Sequence, residues 1–210
     1  DVDGAVARRL TAGLHALGLE LAPAQVAALG TLLDELADWN TRVNLTAIRD
    51  PAEGVDKHLL DSLAVPPLLK GLAVADVGSG AGFPGLPLAI ADTDRRFALV
   101  ESTGKKARFL RQVVAGLDLP NVEVVPLRAE SYKPPRPFDS VIARALGPLA
   151  EFVRVAGHLA GRSGRLLAMK GKVPEDEIQA LPAGWKLLAV HPVAVPGLDA
   201  ERCVVELARV

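Results

Sequence analysis

The chain has 210 residues, of which 50% are hydrophobic and 23% are charged, and its formal net charge is −1. This length fits one domain, or one domain with a small helical extension, and the balance of residue types excludes a disordered or collagen-like protein. Because the net charge is close to zero, a nucleic acid would have to bind at a local basic patch.

The cysteine, the histidines and the apolar segments of the chain indicate whether it binds a metal, in which compartment it is found and whether it spans a membrane. The single cysteine, Cys203, and four scattered histidines lack the spacing that a zinc site needs, so we expect no metal. One cysteine is typical of a reducing compartment, and we expect a cytoplasmic protein, which we take to be a monomer. The most apolar stretch, residues 71–91, contains an aspartate, five glycines and two prolines, so we expect no membrane span.

The first 70 residues are predicted to be helical. Apolar residues recur at three- and four-residue spacing, Pro23 suits a first helical turn, and Asp50-Pro51 is typical of a capped helix start. The pattern predicts three helices, which end near Leu17, Trp39 and Ser62. Since Pro66-Pro67 then breaks the helical pattern, we divide the chain into a helical extension, 1–70, and a second region, 71–210.

From residue 72 onward, short apolar runs alternate with helical stretches, which predicts crossover units and a parallel sheet. The predicted strands are 72–77, 96–101, 121–126, 138–143 and 164–169, and the predicted helices are 85–91, 104–117, 148–160 and 174–181. Two further strands, 185–195 and 202–209, have no helix between them, so we expect an antiparallel hairpin. The predicted fold is α/β, a doubly wound sheet of about seven strands whose last strand reverses direction.

A glycine-rich loop, Gly78-Ser79-Gly80-Ala81-Gly82-Phe83-Pro84-Gly85, follows the first strand. Ligands of open α/β sheets bind at this edge, and residues without side chains let them approach the backbone. The loop fits both the spacing G-x-G-x-G and the dinucleotide spacing G-x-G-x-x-G. A tight strand-to-helix turn without a ligand is the simpler interpretation.

Two carboxylates flank this loop in the sequence. Glu101 ends the next predicted strand, where it could accept both hydroxyls of a ribose in either a dinucleotide or S-adenosylmethionine. Asp76 precedes the loop and could bind the ammonium of a methionine moiety, directly or through water, whereas it would repel a pyrophosphate. Asp76 therefore favours S-adenosylmethionine, with a helix cap or a salt bridge to Arg144 as the alternative role.

The chain resembles the bacterial small-subunit ribosomal RNA guanine-N7 methyltransferases, the family also called glucose-inhibited division protein B. The resemblance extends from about Leu32 to the last strand. It is carried by the motifs KHLLDSL, VADVGSGAGFPGLPLAI, VESTGKKARFL, Ala129-Glu130, Ala143-Arg144-Ala145 and Met169-Lys170-Gly171. Cys203 is a departure, because many relatives have histidine there.

The resemblance implies a class I methyltransferase (Rossmann-like) sheet with an N-terminal helical extension. It also implies S-adenosylmethionine as donor, S-adenosylhomocysteine as product, and N7 of a guanine in the decoding-region loop of 16S RNA, in the small ribosomal subunit, as acceptor. Motif positions assign the cofactor to Gly78, Phe83, Ala129, Glu130 and Arg144. Together with these we place in the cofactor site Asp76, Gly80, Glu101 and Ser102.

The chemistry of guanine N7 agrees with this sequence. N7 loses no proton on methylation, so the reaction needs a positioned nucleophile and no general base. After the fourth strand the chain reads Ala-Arg-Ala-Leu-Gly-Pro, not the Asn/Asp-Pro-Pro-aromatic tetrad of amine methyltransferases. We predict that Arg144 is catalytic or positioning, through guanine O6 or a phosphate; a salt bridge to Asp76 or Glu101 is the alternative.

A basic patch is the predicted RNA contact. It comprises Lys105, Lys106, Arg108 and Arg111, next to Gln112 on the helix after Glu101, and Lys170 at the end of the fifth strand. Residues of the extension could complete it, namely Arg42, Arg49, Lys57 and His58. A merely solvated helix face is the alternative. For the motif residues Asn44, His58, Asp61 and Ser62, RNA contact and helix capping both stay open.

Three other functions compete with this prediction. A methyltransferase of another substrate would be favoured if acidic side chains paired with Lys105 and Arg108. A non-catalytic adenosine-ligand or RNA-binding module would have a cofactor pocket without an open path to the methyl group. A dinucleotide oxidoreductase is disfavoured by Asp76 and by the sequence after Tyr132, which lacks the Tyr-x-x-x-Lys pair.

Overall fold

The computed structural model describes residues 2–144 and 146–210. Ala145, part of a motif named above, lies outside the described residues. Helices α1 (Val2–Ala16) and α2 (Pro23–Asn40) open the chain. A third helical segment follows, in which a π-helical turn, Val55–Leu60, separates the short helices α3 (Pro51–Gly54) and α4 (Asp61–Leu63). The Asp50 side chain accepts a hydrogen bond from the Ala52 amide, which confirms the predicted cap.

The second region is a seven-stranded sheet with helices on both faces. Its strands are β1 (Ala73–Val77), β2 (Arg96–Val100), β3 (Val122–Val125), β4 (Phe138–Ala143), β5 (Ala160–Lys170), β6 (Trp185–Pro192) and β7 (Cys203–Arg209). The strand order is β3-β2-β1-β4-β5-β7-β6, and β7 is antiparallel to both of its neighbours. The predicted sheet, its hairpin and its reversed last strand are therefore confirmed.

Alternation along the strands divides the core into two faces. On β2, Ala98 and Val100 belong to the cluster covered by helix α7 (Leu149–Ala156), and Leu99 belongs to the opposite cluster. That opposite cluster also contains side chains of α5 (Gly85–Ala91) and α6 (Gly104–Gly116). Helix α8 (Glu175–Gln179) lies after β5. Successive strand residues point to opposite faces, so β2 contributes to a cluster on each face of the sheet.

The largest differences from the predicted bounds surround β5. The predicted helix 148–160 is too long, because α7 ends at Ala156 and a 3-10 turn, Gly157–Leu159, follows. Strand β5 begins at Ala160, which pairs with Phe138 across a register shift. The predicted strand start at 164 is therefore late.

One apolar cluster joins the helical extension to the sheet. Buried Leu29 and Leu36 of α2 lie in the same cluster as Ile90 of α5 and Phe109 of α6. An ion pair adds a second link, because Arg202 donates two hydrogen bonds of 2.8 Å to the Asp61 carboxylate. The division of the chain at residue 70 stays a prediction.

The described residues contain no helix that is both long enough and apolar enough to cross a bilayer. Among residues 2–144 and 146–210, no group of three or more His, Cys, Asp or Glu side chains is placed to hold a metal ion.

Candidate active site

The glycine loop turns sharply between β1 and α5. Gly78, Gly80 and Gly82 all have positive φ angles, of 65°, 59° and 93°, a conformation that glycine adopts without strain. A Cβ atom at Gly82 or Gly85 would collide with a leucine side chain, 2.2 Å from Leu86 or 2.3 Å from Leu99. The positive φ angles of Gly78, Gly80 and Gly82 therefore allow the turn. The absence of a side chain at Gly82 and Gly85 allows close packing of α5.

Asp76 lies beneath this loop and is only 1% exposed. Its Oδ2 atom accepts hydrogen bonds of 2.9 Å from the Ser79 hydroxyl and the Gly85 amide, which is the helix-cap alternative named above. Its Oδ1 atom is buried and has no hydrogen-bond partner within the described part of the chain. Burial raises the pKa of Asp76 to about 7, although both hydrogen bonds lower it. Contact with a cofactor ammonium stays a prediction.

Glu101 lies at the carboxyl end of β2, beside the loop. Its two oxygens accept backbone hydrogen bonds from Gly80, at 2.9 Å, and Thr103, at 2.8 Å. A carboxylate has about four acceptor positions, so two remain for ribose hydroxyls.

The surroundings of the loop fit S-adenosylmethionine. Among the described residues, a Cβ at Gly78 would meet only Leu146, at 3.4 Å, and one at Gly80 would meet only a backbone oxygen, at 3.8 Å. The space above both residues is therefore open to a ligand. Ser102 and Glu130 are exposed and Ala129 is buried. These three residues follow β2 and β3, at the edge where such ligands bind.

Arg144, Phe83 and His58 form a stacked group next to the loop. The His58 and Phe83 rings are nearly parallel, with centroids 4.4 Å apart, and the Arg144 guanidinium carbon lies 5.6 Å from the centroid of Phe83. Arg144 donates to His58 Nδ1 at 3.0 Å and to the Lys57 carbonyl at 3.3 Å. The helical extension thus holds the arginine that follows β4.

The protonation of His58 follows from its partners. Arginine can only donate, so His58 Nδ1 accepts, and Nε2 carries the proton that is donated to Thr46 Oγ1 at 3.0 Å. Burial, together with the smaller effects of the charges of Arg144 and Lys57, lowers the pKa of His58 to about 3. His58 is therefore neutral at pH 7.

Arg144 makes neither of the salt bridges considered for it. The described residues place no carboxylate within 4 Å of its guanidinium, whereas nearby Arg202 is paired with Asp61. Burial lowers the pKa of Arg144 and the charge of Asp61 raises it, but a guanidinium stays charged at neutral pH. To the residues that the structure describes, two of its five N–H groups donate, which leaves three for a ligand.

Only part of the predicted basic patch is free of ion pairs within the described residues and could bind RNA phosphates. Lys105, Arg108 and Arg111 are exposed and Lys106 is half-buried on α6, and no described carboxylate lies within 4 Å of their charged groups. Lys170 differs, because its Nζ atom donates to the Gly147 carbonyl at 2.7 Å and to Glu177 at 2.9 Å. Its charge is already balanced, and its contact with RNA stays a prediction.

Several residues of the helical extension that were candidates for RNA contact make structural contacts within the protein, and for others RNA contact stays a prediction. Arg42 and Lys57 pair with Asp38 and Glu53, and Ser62 donates to the His58 carbonyl. Asn40, which the sequence analysis missed, binds the loop before α3: its Oδ1 accepts the amides of Leu45 and Thr46. Asn44 is exposed.

Comparison with known proteins gives concordant results. The family model described as rRNA small subunit methyltransferase G matches residues 25–205. The ribosomal RNA small subunit methyltransferase G of Azoarcus sp. (strain BH72) is 49% identical over 204 residues, which cover 97% of this chain and 96% of the relative. The protein of the same name from Xanthomonas axonopodis pv. citri (strain 306) is 50% identical over 200 residues, 95% and 93% of the two chains.

Solved structures show the same fold. The glycopeptide N-methyltransferase MtfA, crystallised with S-adenosyl-L-homocysteine, superimposes with a TM-score of 0.62 at 10% identity. The match covers 73% of this chain and 87% of that chain. The described sheet is therefore that of class I S-adenosylmethionine-dependent methyltransferases, as predicted.

Proposed function

This chain belongs to the rRNA small subunit methyltransferase G family, and on that basis we propose that it methylates N7 of a guanine in the decoding-region loop of 16S RNA. The methyl donor is S-adenosylmethionine. The proposal includes the small ribosomal subunit as the substrate particle, the cytoplasm as the location and a monomer as the active form.

One observation carries the proposal: a charged arginine with three available N–H donors is held beside the glycine loop by a neutral histidine. Methylation of N7 removes no proton, so it needs donors that orient the base and no proton acceptor. His58 cannot act as a base there, because its Nδ1 atom already accepts a hydrogen bond from Arg144.

The residues around the loop have separate tasks. Gly78 and Gly80 would leave room for the cofactor, Glu101 would accept its ribose hydroxyls, and Ala129 and Glu130 would complete its binding site. When bound, S-adenosylmethionine supplies an electrophilic methyl group on a sulfonium. Arg144 then positions guanine by donating to O6, which leaves the N7 lone pair uncovered.

The basic face of α6 supports an RNA substrate over a small molecule. A methyltransferase of another substrate would be favoured if acidic side chains paired with Lys105 and Arg108, and the described residues provide no such pair. Exposed lysines and arginines without carboxylate partners can instead bind phosphates and release counterions.

Methylation of purified small subunits tests the proposal. Subunits that lack the N7 methyl group are incubated with the protein and S-adenosylmethionine labelled in the methyl group, and the labelled nucleotide is mapped. We expect label at N7 of one guanine in the decoding-region loop. Label on another base, on protein or on no subunit component would contradict the proposal.

The variant Arg144→Ala tests whether this arginine takes part in the reaction. We expect methyl transfer to fall by roughly 100-fold or more, the usual effect of removing a preorganised donor. Thermal unfolding of the variant provides the control, because Arg144 follows β4 and lies outside the apolar clusters. Unchanged turnover on small subunits would remove Arg144 from the mechanism.

A further inference from the structure

A second cavity, distinct from the space above Gly78 and Gly80, lies next to Arg144, and no residue of the glycine loop lines it. Its volume is about 410 Å³, and it is open to the surface between the helical extension and the loop that precedes β7. Arg144 and Gly171 place it at the carboxyl ends of β4 and β5. It therefore adjoins the edge of the sheet that holds the cofactor residues.

The lining combines apolar walls with charges of both signs. Half-buried Ile48 and Leu198 contribute the apolar surface. Arg144 brings positive charge, Lys57 is already paired with Glu53, and Glu201, an exposed residue of the lining, has a carboxylate. Within the described residues no cation lies within 4 Å of that carboxylate, whereas the other acid of the cavity, Asp61, is occupied by Arg202.

A carboxylate in this position suits one RNA base better than a phosphate. It would repel a phosphate oxygen, but it can accept two parallel hydrogen bonds from the N1–H and 2-amino groups of guanine. Adenine would present the N1 lone pair there instead of a donor. The donors of Arg144 match guanine O6, and apolar side chains suit the faces of a base taken out of its stack.

We propose that this cavity is the binding site for the extruded target guanine, in which Glu201 reads the Watson–Crick edge, Arg144 binds O6, and Ile48 and Leu198 contact the faces of the ring. The inference rests on the proposed function. It makes Glu201 the residue that selects guanine, and it leaves N7 without a partner in the pocket.

Two variants of one loop test this site. Glu201→Gln removes the negative charge and places an amide donor opposite the donors of guanine. Asp199→Asn is the matched control, because Asp199 is an exposed acid in the same loop that does not line this cavity. For both variants we would measure kcat/KM on unmethylated small subunits, together with inhibition by guanosine 5′-monophosphate and by inosine 5′-monophosphate, which lacks the 2-amino group.

For the wild-type protein we expect guanosine monophosphate to inhibit more strongly than inosine monophosphate. In Glu201→Gln we expect kcat/KM to fall about tenfold or more, the effect of losing a charged hydrogen-bond partner, and the preference between the two nucleotides to disappear. Asp199→Asn should keep both properties.

The inference is overturned if the wild-type protein does not distinguish the two nucleotides, or if the two variants behave alike. Failure of the proposed function gives a different result, since the wild-type protein would then transfer no methyl group to small subunits.

Discussion

His58 is the residue through which the helical extension holds Arg144, and its two ring nitrogens have different tasks. Nδ1 accepts from Arg144, and Nε2 donates to Thr46. Asparagine can replace the acceptor on the Nδ1 side, whereas glutamine reaches toward the Nε2 side. We therefore expect His58→Asn to retain more methyl transfer than His58→Gln, measured as kcat on small subunits.

The thermal stability of both variants should be measured in parallel, because both lose the ring that stacks on Phe83. Higher activity in His58→Gln at equal stability would show that the Arg144 contact does not matter for the reaction.

Asp76 gives the stability of the protein a defined dependence on pH. Its folded pKa of about 7 lies above the ordinary value of 3.8 for an aspartate, so the folded state binds the proton more tightly than the unfolded state. The stabilising effect of the proton is complete below about pH 4 and is lost as the pH rises toward 7. His58 has the opposite dependence, because its pKa in the folded state is lowered from 6.5 to about 3. The neutral His58 ring stabilises the folded state above about pH 6.5, and this stabilisation is lost as the pH falls toward 3.

The variant Asp76→Asn separates the two groups. Relative to this variant, the wild-type free energy of unfolding should decrease between pH 4 and pH 7, by up to ~4 kcal/mol. His58 is present in both proteins, so its effect cancels in the difference. Urea unfolding at several pH values measures this difference, and a difference that does not change with pH would show that Asp76 does not titrate in this range.

The site could be predicted from the sequence only where its residues are local. The glycine loop and Glu101 are marked by their positions at strand ends, and the structure places them together. The role of His58 stayed undecided, because its partner Arg144 is 86 residues away and nothing in the sequence indicates the contact. Asn40 was missed for a different reason: its partners are close in the sequence, but they are backbone amides, which no side-chain pattern marks.

Helix α6 is the element that we expect to bind RNA phosphates. Removing one phosphate contact lowers the slope of log K against log salt by about 1. Lys105→Ala and Arg108→Ala should each have this effect on binding to the small subunit. Arg154→Ala is the control, because Arg154 lies on α7 and is already paired with Glu151.

Binding titrations at several salt concentrations measure these slopes. Equal slopes for all three variants and the wild-type protein would show that α6 is only a solvated helix face.

Elements with a regular pattern were predicted closely, and irregular ones were not. Strands β1, β2 and β4 are short and mainly apolar, and each predicted bound is within one residue of the structure. The π-helical turn at Val55–Leu60 was not predicted, because its apolar pattern resembles that of an ordinary helix. The early start of β5 was missed because Gly161-Arg162-Ser163-Gly164 has the composition of a turn.

At the scale of the whole molecule, the extension and the sheet share one apolar cluster and an ion pair between Asp61 and Arg202. We therefore expect them to unfold together. Differential scanning calorimetry should show one transition, with a calorimetric enthalpy equal to the van't Hoff enthalpy. Two separate transitions would support two independent domains divided near residue 70.

The place of β7 in the sheet determines when the protein becomes complete during translation. This strand follows β6 in the chain but lies between β5 and β6, and Arg202 immediately precedes it. A nascent chain that has emerged only as far as β6 therefore has two more unpaired strand edges than the folded protein, one on β5 and one on β6, which favour association with other chains. It also lacks the residues before β7 that line the second cavity. The enzyme is therefore complete only after β7 has inserted between β5 and β6.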